Sequence, residues 1–278
     1  MKYGIFFAPG ERTMSAADAA IAIEQRGFES LWVPEHTHIP TSRRTPFPGG
    51  GDLPKSYLYT MDPFVCLAAA AAVTKTLKLA TGVCLVIERD PIVLAKEVAS
   101  LDLTSGGRVI LGIGAGWNAE EMENHGTAFK TRWKLLRERV AAMKAIWTQD
   151  EASYHGEFVN FDSMWSYPKP VRKPHPPILM GGGSSAVLRR VVNYCDGWMP
   201  VRMRMADFLA RITEIRRLAE EQGRDPKSIS ISSFSAKPEK AYIDKLKEAG
   251  VERAIFFGAG SAAKLLPQLD EYAKLIDA

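Results

Sequence analysis

The sequence predicts an α/β protein that folds as one (β/α)8 TIM barrel. Short apolar runs alternate with segments of helical spacing along the whole chain, and eight such runs are present, the number of parallel strands that closes this barrel. The length of 278 residues suits a barrel that folds as a single unit. A doubly wound sheet also alternates strands with helices, but more often has fewer strands. We therefore expect one barrel domain over residues 1–278.

The predicted strands are the eight apolar runs themselves. They cover residues 3–8, 30–34, 78–86, 108–114, 177–182, 196–201, 229–232 and 253–258. The helices between them are indicated by apolar residues three and four positions apart, for example Leu94, Val98 and Leu101. Asp62 before Pro63 is a predicted helix N-cap, and Ser184 or Ser185 is another.

Three longer segments have no clear periodicity: residues 37–61, 115–129 and 149–176. The first two follow strands two and four, at the carboxyl ends of barrel strands, where active sites of this fold lie. The third precedes strand five, so we expect it at the opposite face unless it wraps around the barrel. Residues 37–61 are rich in Pro, Gly and Arg, and we predict an insertion there, either a mobile lid or an ordinary loop.

Composition excludes several classes of function. The net charge is +4, from 36 basic and 32 acidic residues scattered along the chain, which argues against nucleic-acid binding. The most apolar windows are too short to span a membrane, and no signal peptide is evident. The three cysteines lie far apart without a C-x-x-C pair, which favours a reduced setting. We expect a cytoplasmic protein that acts on a small-molecule substrate.

Strand two ends in an unusual cluster of polar residues, the segment "LWVPEHTHIP", which contains Glu35, His36 and His38. A metal site, a cofactor site and an ordinary loop are the three interpretations. The His-x-His pair would put two metal ligands on one side of an extended chain. A metal-dependent barrel hydrolase needs further ligands from later strands, and none are visible. We therefore predict no metal.

Two glycine-rich segments are candidates for binding a cofactor. In "MGGGSSAVLRR" a strand leads through Gly181, Gly182, Gly183 and Ser184 into a helix, an arrangement that suits a phosphate but also an ordinary tight turn. In "SGGRVILGIGAGWNAEE" the glycines of strand four would leave room for a flat ligand beside Asn118, or would simply fill a barrel layer. Strand three contains Gly82, which spacing alone assigns to an ordinary core strand.

Together these segments resemble the luciferase-like monooxygenase superfamily, in particular its branch of coenzyme F420-dependent oxidoreductases. The resemblance rests on "GFESLWVPEHTHIP", on "ATGVCLVIERDPIVLAKEVASLDLTSGGRVILGIGAGWNAEE" and on "PPILMGGGSSAVLRRVVNYCDGWMP". It implies a luciferase-like barrel that binds FMN or F420 at the carboxyl ends of the strands. It also implies a homodimer or a higher homo-oligomer.

The resemblance assigns roles to individual positions. Glu35 and His36 fall where the family often has an acidic residue and a histidine near the reactive ring, and we predict both as catalytic. Gly82 and Val83 fall at a non-proline cis peptide that backs the ring. Asn118 falls where members contact the cofactor, and Gly181, Gly182, Gly183 and Ser184 fall where they hold its phosphate.

Two departures from the family pattern bear on the activity. Ala115 stands where F420-dependent sugar dehydrogenases have a catalytic glutamate, which argues against that activity. The family's frequent insertion after strand seven is absent.

The expected function is hydride transfer between F420 and a small organic substrate, with His36 moving the accompanying proton. Glu35 could orient His36 or bind the ring edge. An FMN-dependent monooxygenase that uses reduced flavin and dioxygen is the first alternative. A non-catalytic protein that binds flavin or F420 is the second.

Overall fold

Residues 1–276, the part of the chain that the computed structural model describes, contain a closed barrel of eight parallel strands. Together with a separate two-stranded sheet, the described residues contain ten strands. They are β1 (Lys2–Phe6), β2 (Ser30–Val33), β3 (Lys78–Thr81), β4 (Val109–Ile113), β5 (Glu151–His155), β6 (Asn160–Trp165), β7 (Ile178–Met180), β8 (Gly197–Trp198), β9 (Ser230–Phe234) and β10 (Arg253–Phe257). The barrel order is β1-β10-β9-β8-β7-β4-β3-β2, and β5 and β6 pair separately. The predicted (β/α)8 barrel is confirmed. The last two residues of the predicted domain, 277 and 278, lie outside the described residues.

Helices follow the barrel strands and cover the outside of the barrel. They are α1 (Ala16–Gln25), α2 (Pro63–Val73), α3 (Pro91–Ser105), α4 (Ala119–Asn124), α5 (Arg132–Thr148), α6 (Ser185–Tyr194), α7 (Met205–Glu221), α8 (Lys240–Glu248) and α9 (Ala262–Ala273). Asp62 caps α2 by accepting the backbone N–H groups of Phe64 and Val65. Ser184 caps α6, so of the two serines the first is the cap. None of these helices is long and apolar enough to cross a bilayer.

Strand three is shorter than its apolar run predicts. The ladder ends at Thr81, the peptide bond between Gly82 and Val83 is cis, and a 3-10 helix follows at Val86–Glu88. The backbone still follows the barrel for a few residues, because Gly82 N–H donates to Val33 O and Cys84 N–H donates to Gly112 O, both at 2.7 Å. Apolar character therefore continues past the strand, since this turn is buried although it is not extended.

The segment 149–176, predicted as irregular, contains the antiparallel hairpin of β5 and β6. The carboxylate of Glu138 on α5 accepts the backbone N–H groups of residues 157–159 and so holds the hairpin against that helix. Farther on, the Arg172 N–H donates to Asp102 at 3.0 Å, near the start of β4. That end of the segment lies at the amino-terminal face, as predicted.

The core has two layers. Inside the barrel lie Trp32, Ala80, Ile110, Leu179, Met199, Phe234 and Ile255. A larger layer packs between the strands and the helices. At the amino-terminal end, the guanidinium of buried Arg108 donates to the backbone oxygens of Ala71, Thr74 and Leu77. The buried Arg253 binds Glu29 through two nitrogens, each at 2.8 Å. These hydrogen bonds and ion pairs satisfy the buried charges of Arg108 and Arg253.

Candidate active site

His36 is paired with a glutamate that lies far from it in the sequence. His36 follows β2 at the carboxyl end of the strands, and its Nδ1 lies 2.8 Å from Oε2 of Glu121 on α4. The His36 side chain is 9% exposed and that of Glu121 is 1% exposed. With so little water nearby, this contact is stronger than a surface pair and fixes the orientation of the imidazole. When Glu121 is ionised, Nδ1 carries the proton and donates it, which leaves Nε2 as the free ring nitrogen.

Glu35 binds an arginine and a backbone N–H group. Its Oε1 lies 2.5 Å from Nε of Arg89, and its Oε2 accepts the N–H of Leu85 at 2.6 Å. The carboxylate that contacts the His36 imidazole is that of Glu121, and the other predicted role of Glu35, binding the ring edge of a cofactor, stays a prediction. Glu35 and His36 are consecutive, and consecutive side chains of an extended chain point in opposite directions. Glu35 holds the turn after β3 in place.

Glu88 is a buried carboxyl group without a hydrogen-bond partner at either oxygen. Its side chain is 1% exposed. Burial, followed by the negative charges of Glu121 and Glu35, raises the pKa of Glu88 to about 9, although Arg89 opposes the change. The acid form is therefore the stable one at neutral pH. The Glu121 Oε1 atom is also buried and unpartnered.

Two further histidines lie between this cluster and the solvent. Nε2 of His125 is 3.8 Å from Oε2 of Glu88 and 2.7 Å from the hydroxyl of Thr37. The same hydroxyl is 2.9 Å from Nδ1 of His38. The His125 side chain is 28% exposed. Burial, then the neighbouring His38, lowers the pKa of His125. These contacts connect the acidic cluster to the surface.

The insertion 37–61 is fastened to α4 and ends in a 3-10 helix at Lys55–Tyr59. The backbone N–H of Thr45 donates to Glu120 at 2.9 Å, and its hydroxyl donates to the same carboxylate. Burial alone would raise the pKa of Glu120, but these hydrogen bonds outweigh it and lower the pKa to about 2. The exposed Arg44 forms an ion pair with Glu123 at 2.5 Å.

Aromatic side chains surround His36 on the side of the insertion. The ring centroids of Tyr57 and Trp117 lie 5.2 and 5.9 Å from that of His36. Phe47 packs edge-on against both of them. A cavity of about 410 Å³ lies within the insertion beside Phe47, and its walls include Arg43, Leu53 and Leu58. The mouth of the barrel is therefore largely apolar where His36 faces it.

The cis Gly82–Val83 peptide stands where the family resemblance implies one. A Cβ on Gly114 would lie 2.8 Å from Val83 Cγ2, and a Cβ on Gly181 would lie 3.3 Å from Val83 Cγ1. Because both positions are glycines, the Val83 side chain fits against them. Three predicted cofactor positions, Gly82, Val83 and Gly181, therefore lie together. A Cβ on Gly112 would lie 2.1 Å from Thr81 O and 3.0 Å from Met199 Sδ, so only glycine fits at that position.

Asn118 is the clearest sign that a ligand is needed here. Its side chain is 1% exposed, and neither Oδ1 nor Nδ2 has a hydrogen-bond partner. A buried amide without partners costs about 1–3 kcal/mol of desolvation per group. A polar ligand that donates to Oδ1 and accepts from Nδ2 would remove this cost.

The glycine-rich turn forms the open amino terminus of α6. Gly182 has φ +98°, and Gly182 and Ser184 are exposed. The first N–H groups of a helix have no partner within the helix. The indole Nε1 of Trp198 donates to Gly182 O at 2.7 Å and holds the turn. Arg211 Nη1 reaches the hydroxyl of Ser185 at 2.7 Å and also forms an ion pair with Glu214 at 2.5 Å. An anion is favoured at such a helix terminus.

Residues 1–276 contain no group of three or more His, Cys, Asp or Glu side chains arranged to hold a metal ion. His38 and His125 bind a shared threonine, and His36 binds a glutamate. Ring nitrogens of these three histidines therefore contact a threonine hydroxyl or a carboxylate.

Comparison with known proteins gives these features a family. Residues 1–275 match the family model described as luciferase-like monooxygenase. The chain belongs to this family.

Three proteins similar to this chain have different descriptions. An uncharacterized protein of Mycobacterium tuberculosis is 41% identical over 260 residues, which are 92% of this chain and 91% of the relative. The structure of an F420-dependent secondary alcohol dehydrogenase with an F420–acetone adduct has a TM-score of 0.81 and 19% identity, covering 99% of this chain and 98% of the other, which shows a shared fold. An FMNH2-dependent dimethylsulfone monooxygenase of Pseudomonas putida is 31% identical over 147 residues, 52% of this chain and 40% of the relative. Both cofactors thus occur among the proteins similar to this luciferase-like chain.

The residues of this luciferase-like barrel fit either cofactor. The unpartnered amide of Asn118 suits the polar edge of a ring or its side chain, and the open α6 terminus suits a phosphate. Val83 supplies an apolar surface between them. His36 stands at the same end of the barrel, joined to this region through Trp117.

Three residues that shape the site were not predicted from the sequence. Glu121 binds His36, Glu88 lies buried beside it, and Arg89 neutralises Glu35. The only available signal was their position after strands three and four, at the carboxyl ends of the barrel strands. Charge patterns along the chain do not show which acid is buried.

Proposed function

We propose that this chain is an F420-dependent oxidoreductase that moves a hydride between the cofactor and a small organic substrate, with His36 handling the accompanying proton. The observation that carries the proposal is the buried pair of His36 and Glu121, 2.8 Å apart, at the carboxyl end of the barrel. A barrel that only bound a cofactor would have no need of such an acid–base pair.

Asn118, Val83 and the turn Gly181–Gly182–Gly183–Ser184 are the residues that would hold the cofactor. When bound, the deazaflavin supplies two-electron hydride chemistry. The chain must then orient the substrate, exclude water and provide a proton donor or acceptor. The aromatic side chains of Phe47, Tyr57 and Trp117 exclude water on the insertion side of His36.

His36 is the proton donor and acceptor in this proposal. Because Nδ1 is bound to Glu121, Nε2 is the nitrogen that faces the substrate. When an alcohol is oxidised, Nε2 accepts the hydroxyl proton, and the carboxylate of Glu121 stabilises the resulting imidazolium. In the reverse direction Nε2 returns the proton to the carbonyl oxygen.

We also propose that the chain forms a homodimer through α2 and α3. The helix α2, "PFVCLAAAAAV", is apolar on every face, and Val65 and Val73 are 61% and 42% exposed. On the neighbouring α3, Val93 and Leu103 are 55% and 53% exposed. A helix that is apolar all round is normally covered on all sides, and a second copy of the same surface would cover it.

Fluorescence titration of the purified protein with F420 and with FMN, each oxidised and reduced, tests the cofactor. We expect saturable binding of F420 and F420-linked turnover in a screen of alcohols and carbonyl compounds. The variant His36→Ala should bind F420 as the unaltered protein does and lose roughly 10²–10⁴-fold in turnover, the usual contribution of a general acid or base.

The other outcomes identify the alternatives. Binding of FMN alone would favour the monooxygenase. Binding of either cofactor without any turnover would favour a carrier, and unchanged turnover in His36→Ala would remove His36 from the mechanism.

A further inference from the structure

The insertion 37–61 contains an arginine that the protein's own groups do not satisfy. The Arg43 side chain is half-buried, and its Nη1 atom is buried without a hydrogen-bond partner. Its neighbour Arg44 pairs with Glu123 at 2.5 Å, whereas no such partner meets Nη1 of Arg43 among residues 1–276. A buried donor without an acceptor costs free energy, and more so when it is charged. An anion beside Arg43 would remove this cost.

The backbone holds Arg43 in an uncommon conformation. Its φ is +47°, in the left-handed region that residues other than glycine rarely adopt. Its guanidinium carbon lies 5.7 Å from the centroid of the Trp117 ring, in the loop that follows β4. Backbone strain of this kind is concentrated at ligand-binding sites, where the surrounding contacts maintain it. The strained backbone and the contact with the indole indicate that this side chain is placed for a ligand.

The space beside Arg43 can hold a small molecule. Arg43 lines the cavity of about 410 Å³ within the insertion, together with apolar side chains that include Phe47, Leu53 and Leu58. An apolar pocket with a small number of polar groups is typical of sites that bind organic molecules. The cavity therefore suits a molecule with an apolar body and one anionic end.

The charges of the lining favour a singly charged anion. Arg43 is accompanied by one carboxylate, that of the exposed Asp52, which also lines the cavity. Asp52 repels a phosphate dianion more strongly than it repels a monoanion. A carboxylate matches a guanidinium in shape as well as in charge, because its two oxygens can accept two parallel N–H groups. These charges point to an organic carboxylate.

The cavity adjoins the aromatic side chains around His36. Phe47, one of its walls, packs edge-on against Tyr57 and Trp117, with ring centroids 5.4 and 5.9 Å apart. The Trp117 ring lies 5.7 Å from the guanidinium carbon of Arg43 and 5.9 Å from the imidazole of His36. Because one indole contacts both groups, a small molecule that lies along it reaches from Arg43 to His36.

We propose that Arg43 is a specificity-determining residue that binds the carboxylate of the substrate, and that the substrate is an organic acid with an alcohol or carbonyl group at its other end. This inference rests on the proposed function, because it places the reacting alcohol or carbonyl at His36. The apolar body of the substrate packs against Phe47 and Trp117. The cofactor positions Asn118 and Val83 stay available, since neither lines the cavity.

Calorimetric titration of the cofactor-free protein tests the carboxylate site apart from the reaction. The probes are phenylacetate, 3-phenylpropanoate and 4-phenylbutanoate, each compared with its primary amide. We expect at least one acid to bind roughly 10–100-fold more tightly than its amide, because only the acid forms a charge-assisted hydrogen bond with the guanidinium. Arg43→Gln should remove this preference, and Arg43→Lys should restore part of it.

Two neighbouring variants are the controls. Arg44→Gln removes the same charge from the next position, where the guanidinium is exposed and bound to Glu123, and should leave the preference unchanged. Asp52→Asn removes a negative charge from the cavity wall and should strengthen the binding of the acids. If no acid binds more tightly than its amide, or if Arg43→Gln keeps the preference, the carboxylate site is refuted. Tighter binding of inorganic phosphate than of every acid would also refute it.

Turnover with F420 tests the assignment of the substrate. Hydroxy acids and keto acids should have a kcat/KM roughly 10–100-fold higher than that of their amides, and Arg43→Gln should abolish this difference mainly through KM. The same variant should bind F420 as the unaltered protein does. Weaker F420 binding with an unchanged preference for acids would assign Arg43 to the cofactor and overturn the inference. If the unaltered protein binds no cofactor, the proposed function and the substrate assignment fail together, while the calorimetric preference still reports whether Arg43 binds a carboxylate.

Discussion

The raised pKa of Glu88 makes the free energy of unfolding depend on pH. The pKa is about 9 in the folded protein against an ordinary value of 4.5. Between these values the folded protein binds one proton that the unfolded chain has lost, so the free energy of unfolding falls as the pH rises. The contribution is fully present below pH 4.5 and is lost as the pH rises through 9. At about 1.36 kcal/mol per pH unit, the loss between pH 5 and pH 8 is about 4 kcal/mol.

Glu88→Gln removes this titration and nothing else of comparable size. We expect urea unfolding at pH 5, 6, 7 and 8 to give a free energy of unfolding for the variant and for the unaltered protein. The difference, variant minus unaltered, should rise by about 4 kcal/mol from pH 5 to pH 8. For a chain of this length that corresponds to roughly 8–16 °C in Tm. Glu123→Gln, an exposed glutamate of α4, should run parallel to the unaltered protein. If Glu88→Gln also runs parallel, Glu88 is ionised in the folded state and the reasoning is refuted.

Three other perturbations test separate parts of the structure. Arg89→Met leaves the buried Glu35 without its counter-ion and should lower the free energy of unfolding in urea by about 3–5 kcal/mol. Adding Glu35→Gln to this variant should restore part of that free energy, whereas strictly additive losses would contradict the ion pair. Thr45→Val removes the hydrogen bond from the Thr45 hydroxyl to Glu120, one of the contacts that hold the insertion against α4. Proteolysis within residues 37–61 should therefore become faster, and an unchanged rate would show that this contact does not hold the insertion. Val65→Lys should shift the sedimentation of the protein from dimer to monomer, and an unaltered chain that is already monomeric would rule out the proposed dimer.

Most of the fold could be predicted because barrel strands are buried on both faces and appear as continuous apolar runs. β4 and β10 illustrate this, since nearly every residue in them is buried. The N-caps were equally visible, because Asp62 and Ser184 directly precede helices that need acceptors for their first N–H groups. The end of β3 was not visible, because the chain after Thr81 stays apolar while its backbone turns.

The position of the site in the barrel could be predicted from the sequence, but not which side chains contact one another there. The ends of strands two and four indicated where His36 and Asn118 lie. That Glu121 binds His36 depends on a contact between residues 85 positions apart, which no local pattern encodes. The ion pair of Glu35 with Arg89 was not predicted for the same reason, because the turn after β3 brings Arg89 to Glu35.

The helix α4 has only six residues, yet it binds both the insertion and the acid–base histidine. Glu120 holds Thr45, while its neighbour Glu121 holds His36. The contact that fastens the insertion and the contact that orients the imidazole therefore depend on the position of the same short helix. A substitution that displaces α4 is expected to disturb both contacts together.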